Sequence, residues 1–390
     1  MKILMLSSLS YSLVNFRGAL LRSLLEQGHE VVACAPDRDA TVEFTLERMG
    51  IEFRLTPMDR AGTNPFRDLA TLLTYMRLMR EERPDAVIAY TQKPIIYGGL
   101  AMRLTGRRGF HALMSGLGYI YSPEADSRRL LRRMVSGLYR MGVARAETIF
   151  VFNSDDRHTM IDNRIIGFDH HVVQIGGSGI DTAHFVECPM PRTPPVFLMI
   201  ARLMRDKGVR EFVEAARIVK AQHPQACFRL LGRPEPGNPT GCSPEELAEW
   251  VASGVIEHLP ETRDVRPHLA ASHVFVLPSF YREGLPRTLL EALSTGRPII
   301  TTDMPGCREV VEPGVNGWLV PPRDSRALAN AMLEALNNRP QLGDMAARSR
   351  EIALERYDAQ KVNSQIIDCL DLGERQSSVE AAPPCAAKGA

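Results

Sequence analysis

Short apolar runs, each followed by a helix-patterned stretch, recur along this chain, stop once at a cluster of prolines, and begin again. The runs Lys2–Leu6 and Glu30–Ala35 flank a helical stretch at 16–27 that Gly28 closes, and residues 85–90, 109–114 and 148–152 continue the series. Unbroken apolar runs suit strands covered on both faces, and alternation of strand with helix is the pattern of a parallel α/β sheet. The first half calls for at least six strands. Residues 188–195, CPMPRTPP, then place four prolines within seven positions. After them Val196–Ile200 and Cys227–Leu231, with residues 273–277 and 298–302, repeat the same grammar around a helix at 209–221. The economical architecture is α/β: two doubly wound parallel sheets joined by a proline-rich linker, with a ligand where the strand carboxyl ends of both face one cleft. The expected domains are 1–188 and 189–354, with a helix at 355–372 packing back on the first and a disordered tail at 373–390, rich in Ala, Pro, Ser and Gly.

Composition narrows the function. At about 150 residues per domain, 390 residues make two domains. Lys plus Arg number 47 against 46 Asp plus Glu, a net charge of +1, so the chain lacks the excess that a nucleic-acid binder carries. Seven scattered cysteines without a CxxC pair point to free thiols in a reducing cytoplasm rather than a zinc cluster. The opening run is too short for a signal peptide, and no run of 18 apolar residues offers a transmembrane helix. Residues 7–18 hold a single glycine, which disfavours a dinucleotide site, and no GxxxxGK[ST] or HExxH occurs. The run Gly176-Gly177-Ser178-Gly179 fails as a nucleophile elbow because Ile180 follows it.

Two second-half features fit one chemistry. Arg202 and Lys207-Gly208 lie on the loop after Val196–Ile200, where a parallel sheet presents ligands, and only six lysines stand among the 47 basic residues. A diphosphate would be forked by the arginine and met by the lysine as a point charge; a solvated basic loop is the alternative. In Pro278 to Ala292 two glutamates stand eight apart: Glu283 in the loop and Glu291 within a helix whose first turn suits Pro286. The start of that helix is a seat for phosphate, and an ionised Glu291 could accept both hydroxyls of a ribose. A charge on a helix surface is the bland reading of either. Further along the same half stand the stretches Pro305-Gly306-Cys307-Arg308-Glu309 and Gly314-Val315-Asn316-Gly317.

Taken jointly, Arg202, Lys207-Gly208, Glu283-Gly284-Leu285-Pro286, Glu291 and those two stretches resemble the C-terminal half of retaining glycosyltransferases of family 4. In the first half, Asn15-Phe16-Arg17, Lys93-Pro94 with Tyr97-Gly98, Ser115-Gly116-Leu117-Gly118-Tyr119 and Phe152-Asn153 with Asp155-Asp156-Arg157 resemble the bacterial branch that extends polyisoprenyl-diphosphate-linked glycans. The resemblance implies the GT-B fold, two Rossmann-like domains facing a cleft, and transfer of a hexosyl or N-acetylhexosaminyl group from a nucleotide sugar, a UDP-sugar above all, to a lipid-linked glycan of capsule, exopolysaccharide, O-antigen or glycoprotein synthesis. It implies Glu283 on the sugar hydroxyls, Glu291 on the ribose, and Arg202 and Lys207 on the diphosphate. Gly232 would admit the nucleotide close to backbone, and Gly284, Leu285 and Pro286 would shape the donor loop. Arg17, Lys93 and Ser115 would meet the acceptor, with no metal and no cofactor required. No D-x-D stands near the loops read as the cleft. Many members of the family carry a catalytic histidine near residues 109–114; His111 and Ser115 are the nearest residues here, and a core histidine is the alternative for His111. Leu259-Pro260-Glu261 departs from the family's usual glycine beside the base. Asp59 and Glu124 are the nearest guesses for a first-domain base, which an inverting enzyme would need. Between Lys93 and Arg145 stand ten basic residues against Glu124 and Asp126, so the first domain is expected to lie on an anionic membrane, on the cytoplasmic face. A nucleotide-sugar 2-epimerase and a non-catalytic nucleotide-sugar-binding subunit are the competing readings.

Overall fold

In the computed structural model, residues 1–60, 62, 64–121, 129–235 and 237–380 are described. They fall into two compact units. One comprises residues 1–115, 129–175 and the helix from Gln360, the other residues 116–121 and 176–359.

The first unit is built on seven strands: β1 (Lys2–Leu6), β2 (Glu30–Ala35), β3 (Glu52–Leu55), β4 (Ala86–Tyr90), β5 (Phe110–Met114), β6 (Thr148–Val151) and β7 (Val172–Gln174). They run parallel in the order β3-β2-β1-β4-β5-β6-β7. Register follows the buried residues: Leu4 lies opposite Val32 on one side and Val87 on the other. All residues of β4, β5 and β6 are buried, as helices on both faces require. The second unit has six parallel strands, β8 (Val196–Ile200), β9 (Cys227–Leu231), β10 (Glu257–Leu259), β11 (Val274–Leu277), β12 (Ile299–Thr302) and β13 (Gly317–Val320), in the order β10-β9-β8-β11-β12-β13. In each sheet the strand order reverses beside the first strand, at β1/β4 and at β8/β11, and ligands of doubly wound sheets settle at that reversal.

Side chains start several helices where the sequence places them. Asp39 accepts from the amides of Thr41 and Val42, Asn153 from that of Asp156, and Asp324 from that of Ala327.

The proline-rich stretch lies inside the second unit, because the contact boundary falls between Ile175 and Gly176. Two arginines explain this. Arg297 is fully buried and donates to the carbonyls of Leu269 (3.0 Å), Cys188 (2.9 Å), Pro189 (3.3 Å) and Ala270 (3.4 Å). Arg350 donates to the carbonyls of Thr182 (3.1 Å), Phe185 (2.9 Å) and Ser294 (2.8 Å). The final helix runs Ala359–Glu380; of the tail expected at 373–390, residues 381–390 lie outside the described residues. Among the described residues no helix is long and apolar enough to cross a membrane.

Candidate functional site

The reversal point of the second sheet gathers most of the charged residues singled out from sequence. Past β8, Leu203 and Met204 are buried and pin the loop, leaving Arg202 exposed beside them. A single 3-10 turn, Arg205–Lys207, then leads into the helix Val209–Gln222. The loop after β11 is stitched to this turn through one acceptor. The carbonyl of Asp206 takes hydrogen bonds from the amides of Phe280 (2.9 Å) and Tyr281 (3.0 Å) and from the Ser279 hydroxyl (3.2 Å).

That stitching sets Lys207 against Glu283. Their side chains form an ion pair, and each is only 15% and 12% exposed respectively. Ser279 Oγ donates to the same carboxylate at 3.1 Å, and Lys207 Nζ stands 5.4 Å from the centre of the Tyr281 ring. Lys207, with three donors on its ammonium, gives one to Glu283. The Arg202 guanidinium makes no hydrogen bond or ion pair with any described residue, and with Lys207 it favours ionisation of the Tyr281 phenol, which burial and Glu283 oppose more strongly. Ser279 and Tyr281 join this site although neither belongs to the charged pattern read from the sequence. The signal for Ser279 in the sequence is its place just past β11, four residues before Glu283.

Glu291 lies in the helix Arg287–Ser294, buried, and accepts from Arg287 Nε at 3.1 Å. Burial pushes its carboxyl up to about 7, against the pull of Arg287. Pro286 precedes the helix with φ −63° and ψ 121° instead of occupying its first turn, since that ψ is extended and not helical. Gly232, at the end of β9, has φ 152°, and a Cβ there would stand 1.9 Å from the carbonyl oxygen of Ala201. Only glycine fits beside β8 at that point.

In the first unit two of the three acceptor candidates, Arg17 and Lys93, are engaged by the protein itself. Arg17 is buried under the rings of Tyr90 (5.3 Å) and Phe152 (5.7 Å). Lys93 pairs with Asp68 at 2.5 Å and donates to the Gly62 carbonyl at 2.7 Å. Ser115 directly follows β5 at its carboxyl end. His111 is the second residue of that strand, away from the carboxyl end, and burial, with His171 nearby, holds its imidazole down at about 4. It is a neutral core histidine. Of the two guessed bases, Asp59 accepts from Arg67 (3.1 Å) and the Gly62 amide (2.9 Å), and Glu124 lies outside the described residues. A D-x-D does follow a strand end, Asp37-Arg38-Asp39 after β2. Asp37, however, accepts from Ser10 Oγ (2.6 Å) and the Ser10 amide (2.9 Å), and Asp39 caps a helix. Among the described residues no three His, Cys, Asp or Glu side chains gather as a metal group.

Comparison with known proteins covers both units. The family described as Glycosyltransferase Family 4 matches residues 18–184, and that described as Glycosyl transferases group 1 matches residues 194–338. One relative, the N,N'-diacetylbacillosaminyl-diphospho-undecaprenol alpha-1,3-N-acetylgalactosaminyltransferase of Campylobacter jejuni, is 26% identical over 385 residues, which are 95% of this chain and 98% of that protein. The UDP-Gal:alpha-D-GlcNAc-diphosphoundecaprenol alpha-1,3-galactosyltransferase of Escherichia coli is 24% identical over 70% of this chain and 72% of its own length. Among solved structures, HepE of Anabaena in complex with UDP superposes with a TM-score of 0.77 at 20% identity, covering 95% of this chain and all of that one. With a family match on each half and the two parallel sheets of the GT-B fold, this chain is a glycosyltransferase of family 4, group 1.

Proposed function

We propose that this glycosyltransferase moves a hexose or N-acetylhexosamine from a UDP-sugar to a polyisoprenyl-diphosphate-linked glycan in bacterial polysaccharide or glycoprotein-glycan synthesis. The observation that carries the donor half is the Lys207–Glu283 pair at the β8/β11 reversal, beside the exposed Arg202 and the helix that holds Glu291. The acceptor half is supported by the near full-length relative that acts on an undecaprenyl-diphosphate glycan.

In this reading Arg202 and Lys207 hold the diphosphate, Glu291 takes the ribose hydroxyls, and Glu283 orients the sugar while Ser279 fixes its carboxylate. The departing diphosphate gains negative charge, and two fixed cations stabilise that charge more in the transition state than in the ground state. A diphosphate oxygen leaving from the front face accepts the proton of the incoming acceptor hydroxyl, so configuration is retained. Arg17, Lys93 and Ser115 sit at strand carboxyl ends of the first unit, where the acceptor is assigned. For Arg17 and Lys93 that role runs through the residues they order, since both already hold protein partners.

The first unit would work from the cytoplasmic face of the membrane. Its helix Arg129–Val143 carries Arg129, Arg132, Arg133 and Arg140 together with exposed Leu130 and Met134, and the helix Pro65–Glu82 exposes Phe66, Leu69 and Leu73. Both pack on the helix Gln92–Leu104, so cations and apolar side chains share one helical layer.

The test is release of UDP from candidate UDP-sugars with and without GlcNAc-diphospho-undecaprenol. Acceptor-dependent release with an α-linked product by anomeric proton coupling is expected. Acceptor-independent epimerisation, or binding without release, would reject the reading, and a β-linked product would reject the front-face mechanism.

A further inference from the structure

The run Gly176-Gly177-Ser178-Gly179 has no place in the chemistry above, yet it is where the chain enters the second unit. Gly177 and Gly179 are buried, with φ of +67° and +65°. A Cβ on Gly177 would stand 2.8 Å from Leu285 Cδ2 and 3.2 Å from Leu285 Cβ. A Cβ on Gly179 would stand 2.6 Å from Ala359 Cα. The same segment is fastened where the chain leaves this unit, since Ile180 donates to Tyr357 O at 2.7 Å and Ala359 donates to Ile180 O at 2.9 Å. Leu285 is two residues from Glu283, and the peptide between them is backed from the opposite chain segment by Gly306, whose Cβ would stand 2.6 Å from the carbonyl oxygens of both Glu283 and Gly284. With Gly306 packed this closely behind it, the Glu283–Leu285 backbone carries Glu283 along when Leu285 is pushed at its Cβ, the contact that side-chain rotation does not relieve.

We infer that Gly177 is a positioning residue of the donor site: by carrying no side chain it lets Leu285 sit where Glu283 faces Lys207. The inference rests on the donor role given to Glu283 above, and it adds that the turn by which the chain enters the unit sets the place of that carboxylate.

Gly254 supplies the control. It has φ of +69° and nothing within 4 Å of a built Cβ, so Gly254→Ala carries the same backbone penalty without a neighbour to push. Gly177→Ala and Gly254→Ala should both lower the melting temperature. Gly177→Ala alone should lower kcat/KM for the UDP-sugar by at least about tenfold, the scale on which small displacements of reacting groups act. In a double-mutant cycle with Leu285→Ala, which removes the 2.8 Å contact with Cδ2, the effects of Gly177→Ala on the melting temperature and on kcat/KM for the UDP-sugar should shrink. Equal kinetics for the two alanine variants, or additive stabilities in the cycle, would overturn the inference. Should Gly177→Ala fail to fold, the Gly177→Ala/Leu285→Ala protein still decides it, since a protein that stays unfolded with the 2.8 Å contact to Cδ2 removed shows that this contact is not what bars a side chain at 177 and overturns the inference. A parent that releases UDP from no donor, with the cycle still non-additive in stability, would reject the donor reading and leave the packing intact.

Discussion

Glu291 joins a titration to a ligand contact. An unfolded glutamate releases its proton near 4.5, whereas Glu291 holds it to about 7. Between these values the folded chain binds a proton that the unfolded chain has lost, so stability falls as pH rises through the window and then levels off. The loss is roughly 3 kcal/mol, at 1.36 kcal/mol for each pH unit between the two values. Glu291→Gln, neutral throughout, should match the parent near pH 4.5 and exceed it at pH 8 in urea unfolding; parallel stability curves would mean that Glu291 ionises normally. Its ligand role is separable. Glu291→Ala should weaken UDP by roughly 10- to 150-fold in calorimetry, about 1.5–3 kcal/mol for a charged hydrogen-bonded contact, and Glu291→Gln should recover part of it. Unchanged UDP affinity in Glu291→Ala would remove the ribose assignment. The sequence carried the identities of Lys207, Glu283 and Glu291 but not their state. The pairing of Lys207 with Glu283 depends on the Asp206 carbonyl joining two loops, and the altered acidity of Glu291 depends on burial, neither of which spacing along a chain reports.

At the scale of elements, what could be read divides by position in the sheet. The strands visible as apolar runs, β1, β2, β4, β5 and β6 in one sheet and β8, β9, β11 and β12 in the other, are interior strands. The four that the runs did not reveal, β3, β7, β10 and β13, are the four edges. Edge strands here are three or four residues long, and β3, β7 and β10 leave half or more of their residues in partial or full contact with water, so they carry no unbroken apolar run. The strand ends also differ in tolerance. Gly232→Ala would force a methyl to within 1.9 Å of the Ala201 carbonyl and should cost about 3 kcal/mol, while Gly314→Ala, with φ of +74° but open space, should cost about 1 kcal/mol. Denaturant melts of the two variants compare them directly, and equal losses would show that the β8 and β9 ends can part.

For the whole molecule, the restart of the strand–helix pattern announced two sheets, but the proline cluster did not mark where contacts divide them. Prolines interrupt helices and ladders; they do not report which side chains reach across to them. Two expectations belong at this scale. With counter-charge supplied by Arg202 and Lys207, transfer should persist in excess EDTA, and full loss restored by magnesium or manganese would show the phosphate site to be incomplete. The protein should co-sediment with phosphatidylglycerol vesicles and not with phosphatidylcholine vesicles, each surface cation adding about 1 kcal/mol. Arg132→Glu with Arg133→Glu should abolish that difference, and equal indifference of the parent to both lipids would remove the membrane reading.

Arg297 also governs how the chain meets a protease. A proline-rich connector between two sheets is where digestion ordinarily separates halves, and Arg192, exposed and followed by Thr193, offers trypsin a cleavable bond there. Cleavage, however, needs a stretch of backbone to loosen, and residues 188–190 are held by one guanidinium that also grips Leu269 and Ala270. A lysine concentrates its donors at one point and cannot span carbonyls on separate segments. Arg297→Lys should therefore be cut after Arg192 at a trypsin concentration that leaves the parent whole, turning the connector into a fuse; identical digestion of the two would place the restraint on this segment elsewhere.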